Sequence, residues 1–131
     1  MLIAAFIGGI LGYERERGGK AAGSRTRMLV AMGAAMCVLV PQLAGYSDAA
    51  LSRVIQSIAA GLGFLGAGTI LKQSKEGRVH GLTTAANIWL TAALGVAVGL
   101  GREATALLGA VLAYIILRFF PHPHPPQELQ A

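Results

Sequence analysis

The chain has 131 residues and a formal net charge of +5, and 54% of it is hydrophobic against 13% charged. Soluble domains average about 25% charged residues, so this balance, with a mean hydropathy of +0.59 and 18 glycines, excludes a disordered chain and argues against a soluble globule. The positive surplus does not point to nucleic acid, because its Lys and Arg lie in short segments between apolar runs, the pattern of a membrane-topology signal.

Five apolar runs follow one another: Leu2 to Tyr13, Met28 to Leu43, Val54 to Leu71, Leu82 to Leu100 and Ala104 to Phe120, of 12, 16, 18, 19 and 17 residues. A helix needs roughly 17 to 25 residues to cross a bilayer core of about 30 Å. The last three are long enough, and the second is short by a margin that lipid thinning and snorkelling side chains absorb. At 12 residues the first run is too short, so the chain is expected to begin inside its first helix; its charges follow the run rather than precede it, which is not the order of a signal peptide. The predicted fold is an all-α polytopic bundle of five transmembrane helices over residues 1–120, with the lipid bilayer as its surroundings. Four of the five prolines lie in the tail, residues 121–131.

Orientation follows from the basic residues. Arg15, Arg17, Lys20, Arg25 and Arg27 follow the first run, Lys72, Lys75 and Arg78 follow the third, and Arg118 ends the fifth, whereas only Arg53 and Arg102 fall on the other side. The positive-inside rule then places the N-terminus outside and the C-terminus in the cytoplasm.

Glycine is arranged at helical spacing. Gly8 and Gly12 are four apart in the first run, Gly33, Cys37 and Pro41 share a face of the second, and Gly63 with Ala67 and Gly95 with Gly99 repeat the spacing in the third and fourth. Small residues at this spacing let helix backbones approach in lipid. Gly8, Gly12, Gly61, Gly63, Gly66, Gly68, Gly95 and Gly99 are therefore read as helix-packing positions, within one chain or in a homo-oligomer, with a dimer as the expected form. Gly61 to Gly66 also spells the letters of a dinucleotide-binding fingerprint, but an apolar helix replaces the strand and turn that such a site requires.

Polar residues inside the runs need partners. Thr84, Asn87 and Thr91 share one face of the fourth helix and continue into Gly95 and Gly99; Asn87 either hydrogen-bonds a neighbouring helix or lines a small polar cavity. Glu14 follows the first run directly, and Arg25 is the expected cation partner if that carboxylate sits at the membrane boundary. Asp48 and Arg53, with Gln56 one turn further on, form a charge pair at the start of the third helix. A single carboxylate beside an arginine is a poor Mg²⁺ site. His122 and His124 leave a tetrahedral metal site half empty, and the lone Cys37 cannot build one. No serine or cysteine is paired in sequence with a histidine, so no catalytic residue, enzymatic activity or cofactor is expected.

Four segments together resemble the MgtC/SapB family of bacterial membrane proteins: Gly12-Tyr13-Glu14-Arg15-Glu16-Arg17, Lys20-Ala21-Ala22-Gly23-Ser24-Arg25-Thr26, GLGFLGAG from Gly61 to Gly68, and GLTTAANIWLTAALG from Gly81 to Gly95. Asp48, Arg53 and Gln56 also fall where that family places an acid, an arginine and a glutamine. The resemblance implies a multi-pass protein of the bacterial inner membrane, tied in its better-known branch to growth under magnesium limitation and acting there through membrane-protein partners. It raises Glu14, Arg25, Asp48, Arg53, Gln56, Thr84 and Asn87 to a functional polar set. Thr83 and Leu90 stand where some magnesium-linked members carry asparagine and cysteine, which places the chain nearer the short SapB-type members, without the ACT-like C-terminal domain. A transporter or channel for a cation or small solute, with Mg²⁺ as a candidate ligand, is the alternative function.

Overall fold

A computed structural model describes residues 1–17, 22–73 and 81–120. These form five helices, α1 (Leu2–Arg17), α2 (Ser24–Leu43), α3 (Asp48–Gln73), α4 (Leu82–Gly99) and α5 (Glu103–Phe119), with no strand among the described residues. The all-helical expectation holds. α1, α2, α3 and α5 each extend past the hydropathy boundary into polar residues, whereas α4 ends within its apolar run. α2 begins at Ser24, four residues before its apolar run, and α3 at Asp48, whose carboxylate lies favourably in the first turn of a helix dipole. α2, α3 and α4 are long and apolar enough to cross a membrane, whereas α1 and α5, at 16 and 17 residues, are shorter.

Two turns at the same end of the bundle close by one device. After α2, Gly45 at φ 76° lets its N–H reach the Gln42 carbonyl while the Tyr46 N–H reaches Pro41. After α4, Gly101 at φ 73° does the same for Val98, and the Arg102 N–H reaches Ala97. Both are Schellman closures, which glycine permits because the left-handed region carries no Cβ penalty.

α4 is the central helix. It packs against all four others, and half of it is buried, against 6% of α3. The core joins Ala4, Ile7 and Leu11 of α1, Ala31 and Ala35 of α2, Leu94 and Val98 of α4, and Ala106 and Ala113 of α5. Alanine predominates because the backbones are close. A Cβ on Gly8 would lie 2.6 Å from the Arg27 carbonyl oxygen and one on Gly12 would overlap Ser24, while Gly95 and Gly99 press in the same way on Ala31 and Ala35. α2 is thus held between glycine seams of α1 and α4, as sequence spacing predicts.

The third helix makes no such seam within one chain. Gly61, Gly63 and Gly68 meet nothing within 4 Å, and only Gly66 makes contact, 3.4 Å from the Ala85 side chain. Gly33 also faces open space, and Cys37 is exposed. Spacing identifies a smooth face but not whether a neighbour lies against it; within one chain, α3 turns most of its small residues and Phe64 outward.

Candidate functional site

The α4 face reads as expected: Thr84, Asn87 and Thr91 are all buried. Thr91 Oγ1 donates to the Asn87 carbonyl one turn back, at 2.7 Å. The Asn87 side chain differs, since neither Oδ1 nor Nδ2 has a hydrogen-bond partner among the described residues although both are shielded from solvent. An unpaired buried amide costs about 1–3 kcal/mol, and in native proteins such groups concentrate where a water, ion or ligand completes them.

Register shows what lies opposite. Gly95 meets Ala31 and Gly99 meets Ala35, so α2 and α4 run parallel, and one further turn sets Thr91 level with Arg27 and Asn87 level with Gly23. α1 runs antiparallel to α2, with Gly8 against Arg27 and Gly12 against Ser24. Three helices therefore bring Asn87, the start of α2 and the end of α1 to one end of the bundle.

Arginine occupies that end. Arg27 is completely buried; its Nη1 donates to the Leu11 carbonyl at 2.6 Å and its Nε to the Ala22 carbonyl at 3.1 Å. Ala22 has φ 60°, a left-handed conformation that is costly for a residue with a Cβ, and the Arg27 contact helps to hold it. Arg15 is also buried. Among the described residues its Nε and Arg27 Nη2 have no hydrogen-bond partner. Read from composition, both belong to a basic loop. Periodicity could have separated them, because Arg15 continues the buried Ala4, Ile7, Gly8, Leu11, Gly12 face of α1, and Arg27 continues that of Ala31 and Ala35 on α2.

Glu16 caps the corner. Its Oε2 accepts from Ser24 Oγ at 2.6 Å and from the Ser24 N–H at 3.3 Å, taking the place of the side-chain cap that Gly23 cannot supply. These bonds, with Arg25 nearby, hold the Glu16 carboxyl below its ordinary value. Arg25, the cation the sequence suggests for Glu14, is exposed, and its charge acts on Glu16. Glu14 is half-buried and turns toward α5, where it lines a polar recess with Arg17, Tyr114 and Arg118.

The remaining candidates lie apart. Asp48, Arg53 and Gln56 are exposed on α3, so they do not join Thr84 and Asn87. Among the described residues no three of His, Cys, Asp and Glu come together as a metal-binding group. Lys20, Lys75, Arg78, His122 and His124 fall outside the described residues.

Comparison with known proteins finds relatives over most of the chain. The chain is 48% identical to Protein SrpB of Synechococcus elongatus, covering 92% of this chain and 72% of that protein. It is 37% identical to "Putative magnesium transporter YhiD" of Escherichia coli strain K12, over 92% of this chain and 58% of that one, and 43% identical to Protein MgtC of Brucella abortus, over 82% and 44%. The chain thus spans about half the length of the last two. No solved structure matches it. The family model for the MgtC family covers residues 1–124, which takes in all five helices and both arginines of the buried corner, and the chain is therefore a member of the MgtC family of membrane proteins.

Proposed function

We infer that this chain is a non-enzymatic protein of the bacterial inner membrane that serves adaptation to low magnesium by acting on other membrane proteins. In this reading its N-terminus is outside, its C-terminus is cytoplasmic, and it works as a homo-oligomer, a dimer above all. The magnesium link rests on family membership and on the names of two relatives, MgtC and YhiD.

The observation that carries the mode of action is the charge of the buried end. Arg15 and Arg27 place positive charge where a cation path through α1, α2 and α4 would begin, and glycine seams bring those backbones into contact. Like charge in a low-dielectric interior repels a divalent cation strongly. α3, by contrast, leaves an apolar, small-residue face uncovered, the kind of surface on which helices associate in lipid. The alternative, transport of a cation or small solute, draws support from the unpartnered Asn87 amide.

Growth of a deletion strain across a magnesium titration tests this, with complementation by the unaltered protein, Gly63→Leu and Asn87→Leu at matched membrane levels, alongside Mg²⁺ flux in proteoliposomes. The inference expects a low-magnesium defect, loss of rescue by Gly63→Leu and no flux above protein-free vesicles. Flux abolished by Asn87→Leu would establish the transporter instead. Growth equal to the parent at every magnesium level would remove the magnesium link.

A further inference from the structure

A groove of about 510 Å³ lies where α5 meets α1 and the start of α2, and its walls include Ala5, Phe6, Gly9, Ile10, Met28 and Tyr114. At the end of α1 it continues into a recess of about 450 Å³ lined by Glu14, Arg17, Tyr114 and Arg118. Glu14, Arg17 and Tyr114 line both, so the apolar groove and the charged recess are one continuous surface.

Its dimensions and charge select an occupant. From Ala5 to Arg17 the helix rises about 18 Å, close to the roughly 15 Å depth of one leaflet's hydrocarbon. The charged end coincides with the point where both helices leave their apolar runs, α1 at Tyr13 and α5 near Arg118. Tyrosine at that depth is the usual interfacial residue. Arg17 is stacked on the Tyr13 ring, 5.6 Å from its centroid, which holds the guanidinium at the opening. Two arginines against one carboxylate give the recess a net charge of +1, complementary to a single phosphodiester.

We propose that this surface is a binding site for one anionic phospholipid with a hydroxylated headgroup, its acyl chain along α1 and its phosphate between Arg17 and Arg118. Arginine binds phosphate oxygens through charge-assisted hydrogen bonds, and Glu14 accepts a hydrogen bond from a headgroup hydroxyl. This site is separate from the Asn87 corner and independent of any magnesium role.

Native mass spectrometry of the full chain, released from detergent and titrated with phosphatidylglycerol, phosphatidylethanolamine or phosphatidylcholine, provides the test. One retained phosphatidylglycerol is expected, with at least a fivefold preference over the other two. Arg17→Gln with Arg118→Gln should reduce its retention about tenfold, and Gly9→Leu, which fills the groove without changing charge, should reduce it as well. Arg53→Gln with Arg102→Gln removes the same charge elsewhere and should leave it intact. Helix content by circular dichroism confirms that each variant is folded. Equal retention of all three lipids overturns the assignment, as do undiminished retention in the Arg17/Arg118 variant and an equal loss in the Arg53/Arg102 variant.

Discussion

Replacing Gly99 by alanine adds one carbon to the α2–α4 seam, and the geometry fixes where it goes. The new Cβ would stand 2.6 Å from the Ala35 carbonyl oxygen and 3.2 Å from Val38 Cβ. The first distance falls roughly 0.8 Å short of an ordinary contact, and the obstacle is backbone, so no side-chain rotation relieves it. Overpacking of this kind costs about 1–3 kcal/mol. Gly61→Ala is the internal comparison, since its Cβ meets nothing within 4 Å and alanine is the better helix former. Thermal unfolding in detergent, followed by fluorescence of the one tryptophan, Trp89 on the seam helix α4, should show Gly99→Ala melting several degrees below the unaltered protein and Gly61→Ala at or above it. If Gly99→Ala melts unchanged while Gly61→Ala falls, the close approach of α2 and α4 is refuted.

Three other perturbations probe the buried corner. Asn87→Leu removes an amide with no partner at either atom among the described residues, so its melting temperature should be equal or higher; a drop would mean that the amide is bonded. Arg27→Met deletes charge-assisted bonds to the Leu11 and Ala22 carbonyls and should destabilise by about 3 kcal/mol, with Arg27→Lys recovering only part, as measured by the same melts. The Glu16 carboxyl is held low when folded, so its stabilising effect is complete above its unfolded value near 4.3 and disappears as pH falls through the folded value. Melting against pH should therefore show an acid-side decline that is smaller in Glu16→Gln, and an identical decline in both proteins would contradict the Glu16–Ser24 cap.

Much of the molecule was legible in the order of its residues because the information is local. Apolar runs and the 3.6-residue period identify the helices and the Thr84, Asn87, Thr91, Gly95 face without any knowledge of neighbours. The MgtC family motifs were readable on the same terms. Tertiary structure decided which faces are covered. Gly95 and Gly61 sit in similar small-residue patterns, yet one touches a backbone and the other touches nothing. Arg15 and Arg27 read as members of a basic loop, yet both are buried, while Arg17 and Arg25 beside them are exposed. Glu14, expected to pair with Arg25, instead faces Arg118 more than one hundred residues away in sequence. The sequence by itself determined five helices and the residues on each face; only packing between distant segments decided which faces meet, because burial depends on what the rest of the chain places opposite and no local period encodes that.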